Sequence, residues 1–197
     1  MIESLIDFDK TLFSAVNSFR SDWADWFFAI LSSHLFIAIV VSAVAIYLML
    51  TQYRKRWWHI LILIALSFLL ADRISVLCFK DVFMRLRPSH LMPDVFVCKL
   101  SNFHLIYDNK GGLYGFVSSH AANVFSLAAL FALLSRKRIL TISVFVWAIL
   151  TGYSRIYCGY HYPADVVCGG LLGVIIGLIL FLTYSYLIKR FSNSIPR

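Results

Sequence analysis

Three short polar stretches carry residues able to do chemistry: Lys80-x6-Arg87-Pro88, Ser118-Ser119-His120, and Ser154-Arg155-x5-His161-x3-Asp165. Together they hold three cations, two imidazoles and a carboxylate, a set suited to gripping and cleaving a phosphate ester. His161 and Asp165 are spaced i, i+4 around Pro163. The carboxylate can fix the imidazole tautomer and leave the other ring nitrogen free to attack. Arg155 offers a planar fork for phosphate oxygens. Ser118 is placed to cap a helix, whose free N–H groups and dipole favour an anion. Lys80 and Arg87, two helical turns apart, share a face if the helix persists, and Pro88 helps to end it. Arg85 then falls on another face, as a rim or headgroup contact. Each stretch also has a plainer reading: snorkelling cations, an ordinary N-cap, a structural histidine–carboxylate pair. Chemistry becomes the better reading only if one surface gathers all three.

The elements that must do the gathering are membrane helices. Hydrophobic residues make up 60% of the 197, against roughly 45–50% in soluble domains. The expected fold is all-α, a polytopic helical bundle forming one domain over 1–197. Spans are predicted at 26–50 (A), 57–80 (B), 118–134 (C), 139–157 (D) and 164–188 (E). About 17–25 residues at 1.5 Å each suffice to cross a core of ~30 Å. Trp23 and Trp26 introduce span A and Trp57 and Trp58 span B, as headgroup-layer tryptophans do. Residues 1–22 place Ile6, Phe8, Leu12, Phe13, Val16 and Phe19 among polar neighbours, predicting an amphipathic helix lying in the interface. Between spans B and C, 88–117 reads as an outward-facing loop over the site, with turns at Pro88, Pro93, Gly111 and Gly112. It either shapes headgroup selection or is a packed lid.

Charge sets the expected orientation. Arg54-Lys55-Arg56, Arg136-Lys137-Arg138, and Lys189, Arg190 and Arg197 supply nine of the 18 basic residues. An alternating five-span path puts all nine on one side, which is the cytoplasmic side by the positive-inside rule. The acid-rich segment 1–25, the 88–117 loop and all three polar stretches then face outward. The net charge of +8 therefore calls for no nucleic-acid partner. One Glu and nine Asp are too few for a multi-carboxylate metal site. The four cysteines show no zinc or C-x-x-C spacing. Cys98 and Cys158 could pair on the outer side, but free, buried thiols are the preferred reading. Met1-Ile2-Glu3-Ser4 lacks a basic region before an apolar run, so no cleavable signal peptide is expected.

Other residues read as structural. Asp72 and Arg73 inside span B suggest an ionic network under the site. His34 reads as interhelical polar glue. Gly169, Gly173 and Gly177 form overlapping G-x3-G steps, read as packing within the chain rather than a dimer seam.

The three stretches resemble the signature of the type 2 phosphatidic acid phosphatase superfamily of membrane lipid phosphatases: K-x6-RP, then PSGH, then SR-x5-H-x3-D. The first and third match in full; Val117-Ser118-Ser119-His120 stands where Pro-Ser-Gly-His is usual. The resemblance implies metal-independent hydrolysis without a cofactor. In it His161 attacks phosphorus to form a phosphohistidine and Asp165 orients His161. His120 protonates the departing oxygen and then helps activate water. Lys80, Arg87, Arg155, the Ser118 hydroxyl and the Ser119 N–H hold the phosphoryl oxygens. Phosphoryl transfer is mostly positioning and charge stabilisation, which three cations can supply. The partners implied are the bilayer and a lipid phosphate, in the inner (cytoplasmic) membrane with the site facing the periplasm or exterior. Nothing indicates a homo-oligomer. Undecaprenyl diphosphate and lipid A rank together as substrates, ahead of phosphatidate and phosphatidylglycerophosphate. The alternatives are a lipid phosphotransferase, a vanadium haloperoxidase and an inactive lipid-binding homologue.

Overall fold

The apolar blocks form helices, interrupted by one small hairpin. A computed structural model describes residues 2–107 and 109–192. In chain order it has α1 (Ile2–Ser18), α2 (Asp22–Leu31), α3 (His34–Thr51) and α4 (Trp57–Ile74). A π-helical stretch (Ser75–Lys80) and the short α5 (Asp81–Phe83) continue α4. Then follow α6 (Pro88–Leu91), β1 (Cys98–Ser101), β2 (His104–Tyr107), α7 (Ser119–Ser135), α8 (Arg138–Tyr157) and α9 (Pro163–Ser192). Among the described residues, four segments are long and apolar enough to cross a membrane: His34–Thr51, Trp57–Phe83, Arg138–Tyr157 and Pro163–Phe191. The shorter α7 lies at the centre, packed on α3, α4, α8 and α9. Its small and aliphatic residues, from Ala121 and Ala122 to Phe131 and Leu134, are buried around the helix, as an all-round apolar helix must be. The protein is a multi-pass membrane bundle, as its hydropathy predicts.

The α7–α9 seam is glycine-built. A Cβ at Gly173 would sit 2.3 Å from the Ala122 carbonyl oxygen, and one at Gly177 2.4 Å from that of Ser126. The G-x3-G steps are thus intramolecular.

Three expectations change. Span A is broken: α2 ends at Leu31 and α3 begins at His34. Ser32 and Ser33 turn their hydroxyls onto the Ala29 and Ile30 carbonyls, and Ser33 Oγ accepts the Phe36 N–H at 3.2 Å. Serine side chains compete with the backbone ladder in this way and restart a helix. The 88–117 segment is not all loop. β1 and β2 pair antiparallel from Cys98↔Tyr107 to Ser101↔His104, closed by Asn102 and Phe103, both at positive φ. Two left-handed residues match strand twist in a two-residue turn, but Asn-Phe lacks the glycine that would have signalled it. Finally, α1 does more than lie in an interface. Asp9, Phe13 and Asn17, spaced i, i+4, i+8, form a buried stripe against α8 and α9. Leu5, Phe8, Leu12 and Phe19 stay exposed. Asn17 donates to the Phe96 and Tyr157 carbonyls and accepts the Phe96 N–H.

Asp72 and Arg73 form no ion pair among the described residues, and both are exposed. The predicted network beneath the site is absent there; consecutive helical positions point about 100° apart and do not face each other.

Candidate active site

One end of the bundle collects the C-terminal end of the α4–α5 segment, the N-terminus of α7, the C-terminus of α8 and the N-terminus of α9. Lys80, Ser118–His120, Arg155 and Asp165 therefore meet there. The basic turns at 54–56 and 136–138 close the opposite end. Lys80 and Arg87 do not converge along one helix. Met84 takes a left-handed φ of 45° and stops the helix, and Arg87 is extended at φ −69°, ψ 156°. Arg87 is brought back by pairing with the segment before α7: Leu86 bridges Tyr114, the Arg87 N–H donates to Leu113 O, and the Gly115 N–H donates to Arg85 O. The guanidinium Nε of Arg87 donates to Tyr114 O at 3.1 Å. Arg87 packs so near Gly115 that an added Cβ would lie 3.2 Å from its Cγ.

The cations face one another without a neutralising acid between them. Arg155 is 7% exposed, and its Nε has no hydrogen-bond partner among the described residues. Both guanidinium groups lie within cation–π range of the Tyr160 ring, 4.3 Å for Arg155 and 5.9 Å for Arg87. Burial, followed by repulsion from Arg155, pulls the Arg87 pKa down to about 10. Cations held together at this cost, with an orphaned buried donor, describe an anion cradle.

Lys80 Nζ donates to Ser119 Oγ at 2.8 Å, and that hydroxyl also shares a 2.6 Å hydrogen bond with Ser75 Oγ. Ser75 is buried in the π-helical stretch and donates to Asp72 O. The departure from the family pattern at Ser119 thus has a structural use: a glycine there could not hold Lys80. Ser118 caps α7, its Oγ accepting from the Ala121 N–H at 3.4 Å. Val117, in place of proline, is fully buried.

His161 is 1% exposed. Its Nδ1 lies 3.5 Å from Asp165 Oδ2 and makes no hydrogen bond among the described residues; a small rotation of the ring would close the bond that fixes its tautomer. Nε2 is then the nitrogen left to react. Burial, then Arg87, Arg155 and Lys80 in that order, hold the imidazole pKa well below its usual 6.5. The ring is neutral at physiological pH, the state a nucleophile needs. Asp165 is fully buried. Its Oδ2 accepts the Tyr162 N–H at 3.0 Å, and its Oδ1 the Arg85 guanidinium at 2.7 Å. Arg85 is no rim residue: its second nitrogen reaches Asp9 of α1 at 2.6 Å, and against the downward pull of burial Asp165 and Asp9 hold its pKa above the usual arginine value.

His120 stands in the first turn of α7, in electrostatic reach of Arg155, His161 and Arg87. Its ring centre is 5.2 Å from that of His34, which the α2–α3 break delivers to this end. His34 thus makes an interhelical contact, as expected, and makes it beside the site. Cys98 and Cys158 are buried free thiols with sulfurs 3.2 Å apart; they join the hairpin to the end of α8. Asp9, Arg85, His34 and Tyr160 are the nearby residues that sequence reasoning missed. Only the i, i+4, i+8 recurrence of Asp9, Phe13 and Asn17 could have signalled one of them.

Comparison with known proteins places the chain in a family. The PAP2 superfamily profile matches residues 69–189. A lipid A 4'-phosphatase of Bacteroides thetaiotaomicron is 32% identical over 200 residues, covering 100% of this chain and 85% of that protein. An undecaprenyl-diphosphatase of Sulfolobus acidocaldarius is 28% identical over 171 residues, covering 87% of this chain and 76% of that protein. The crystal structure of Aquifex aeolicus LpxE superposes with a TM-score of 0.63 at 28% identity, covering 86% of this chain and 92% of that one. Similarity along the whole chain, in sequence and in helical arrangement, turns the motif resemblance into a conclusion: the chain belongs to the PAP2 superfamily of membrane lipid phosphatases.

Proposed function

We propose that the protein removes a phosphate from lipid A on the outward face of the inner membrane through a phosphohistidine. One observation carries the reading: Lys80, Arg87 and Arg155 converge around a neutral His161 whose Nδ1 lies 3.5 Å from Asp165 Oδ2. In the first step His161 Nε2 attacks phosphorus. The bond from phosphorus to the lipid oxygen breaks, and that oxygen takes the proton that the bound phosphate dianion keeps on His120 against its cationic neighbours. In the second, His120 accepts a proton from water, the water oxygen bonds to phosphorus, and the P–N bond breaks to release inorganic phosphate. The three cations, the Ser118 hydroxyl and the Ser119 N–H hold the equatorial oxygens, where charge accumulates. Charge neutralisation falls to these side chains and not to a metal ion.

An open groove of 770 Å³ runs beside the site between α1 and α5, walled mainly by Leu5, Ile6, Phe83, Leu86, Leu91 and Phe116, with Lys10, Arg85 and Tyr162 also lining it. Its apolar walls suit acyl chains better than a water-soluble phosphate ester. The lipid A assignment rests on the 32% identity to a lipid A 4'-phosphatase along the entire chain. A second reading, hydrolysis of undecaprenyl diphosphate, is supported by the 28% identical undecaprenyl-diphosphatase.

Phosphate release from purified protein, with chelator present, tests both. Lipid A, undecaprenyl diphosphate, phosphatidate and phosphatidylglycerophosphate form the panel. Lipid A is expected to be turned over with a kcat/KM at least ~10-fold above the others, about 1.4 kcal/mol of transition-state preference. A preference for undecaprenyl diphosphate replaces the first reading with the second. His161→Ala should abolish turnover, and unchanged turnover would refute the mechanism. Orientation is tested separately by labelling single cysteines at position 55 and position 110 in intact cells; accessibility of position 110 alone is expected.

A further inference from the structure

We propose that α1 belongs to the catalytic apparatus: Asp9 is a positioning residue that holds Asp165 through Arg85 and holds the first turn of α9 directly. The chain of contacts is continuous. Asp9 Oδ2 takes Arg85 at 2.6 Å, Arg85 takes Asp165 Oδ1 at 2.7 Å, and Asp165 Oδ2 faces His161 Nδ1 at 3.5 Å. Asp9 is 7% exposed and Asp165 0%. Each guanidinium nitrogen involved serves one carboxylate, so Arg85 is fixed at both ends.

The other oxygen of Asp9 explains why α1 is needed. Helix α9 begins at Pro163, with no N–H to satisfy at that position. Asp165 reaches back to the Tyr162 N–H, which is half of a capping box. The other half requires a side-chain acceptor on the residue before the helix, and Tyr162 has none suited to it. Asp9 supplies an acceptor from another helix: its Oδ1 takes the Ala164 N–H at 2.9 Å. Phe13, one turn along α1, packs edge-on against the Tyr162 ring with centroids 5.4 Å apart. The Arg85 guanidinium lies 4.2 Å from the centre of that ring. Helix α1 therefore clamps 162–165, the segment directly after His161, by a cap, an ion pair and a ring contact. Removing one partner of a buried ion pair leaves an uncompensated charge. Without Asp9, Arg85 loses one anchor, and both the cap and the Asp165 carboxylate lose registration against His161.

The catalytic consequence rests on the phosphatase reading, and the clamp itself does not. The test compares wild type with Asp9→Ala, Asp9→Asn, Asp9→Glu and, as a control on the exposed side of α1, Thr11→Ala. Expected for Asp9→Ala is a kcat lower by ~10–100-fold with KM within about threefold, since only orientation is disturbed. Asp9→Asn, which keeps an acceptor oxygen but loses the charge, falls between, Asp9→Glu recovers part of the rate, and Thr11→Ala matches wild type. Hydrogen exchange of a peptide covering 162–168 is measured on the same proteins without substrate, and Asp9→Ala should exchange at least ~10-fold faster there. A kcat within twofold of wild type, a kcat loss matched by loss of folded protein, or unchanged exchange overturns the proposal. If wild type releases no phosphate from any lipid in the panel, the phosphatase reading fails instead. The exchange comparison still decides the clamp.

Discussion

Alanine in place of Gly173 puts a methyl group where the α7–α9 seam has no room for one. Its Cβ would meet Ala122 O at 2.3 Å, Ser126 N at 2.9 Å and Phe125 Cβ at 3.0 Å, while ordinary contact begins at 3.4 Å. Two of the three obstacles are backbone of α7, so no rotamer change relieves them, and the helices must part by about 1 Å. Overpacking of this kind costs about 1–3 kcal/mol. The catalytic loss should be larger in proportion, because α7 carries Ser118 and His120 while α9 carries Asp165. A displacement of ~1 Å between reacting groups costs on the order of 100-fold in rate. Gly170 provides the internal control. A Cβ there meets only the Phe125 ring, at 3.2 Å and beyond, and a side chain can yield. The assay is phosphate release in detergent, paired with thermal stability followed by size-exclusion of the heated protein. Gly173→Ala should lose about 100-fold in kcat and some thermal stability, and Gly170→Ala little of either. If Gly173→Ala keeps wild-type kcat and stability, the close seam does not position the site and the reasoning fails.

Ser119→Ala removes the acceptor of Lys80 and should raise KM about 10–150-fold with the protein still folded, since a charge-assisted hydrogen bond contributes ~1.5–3 kcal/mol; an unchanged KM would show that Lys80 needs no holder. Arg155→Lys keeps the charge but loses the fork and the Tyr160 stack, so kcat/KM should fall ~10–100-fold; wild-type kinetics would deny Arg155 a specific contact. For pH, the neutral His161 imidazole is the reactive form and its pKa is depressed below 6.5 by burial and by Arg87, Arg155 and Lys80. The acid limb of kcat/KM due to His161 should therefore lie below pH 6.5 and move upward in Arg87→Gln, which removes one positive neighbour. A limb above 6.5, or a downward move, contradicts that assignment. His34→Ala tests the imidazole beside His120: a modest loss of kcat, smaller than that of His120→Ala and tenfold at most, is expected for a neighbour outside direct contact with substrate.

Much of the site was legible because its chemistry is local in the chain. Ser118 as N-cap, His161 and Asp165 one turn apart, and Arg155 at the end of a helix are short-range relations, and residue type and spacing express them directly. The membrane-spanning character of the long helices and the common end of the polar stretches follow from hydropathy and from the basic turns, since a spanning helix admits few alternatives in a bilayer. Lys80 and Arg87 were grouped correctly on an incorrect premise. They share the site because Leu86 pairs with Tyr114, not because a helix continues, and a helix stopped by a left-handed Met84 leaves little mark in sequence. The hairpin escaped for a similar reason: its turn is Asn102-Phe103, without glycine.

What the sequence determines by itself is thus the membrane bundle, a set of candidate site residues and their arrival at one bundle end, all properties of residue type and periodicity. Tertiary structure alone decides which charges meet. Arg85 looked peripheral by helical phase, yet binds Asp165 across 80 residues and Asp9 across 76. Neither separation has a periodic signature. A buried carboxylate takes whichever cation packing brings within hydrogen-bond reach, because leaving it unpaired costs more than any local preference can return.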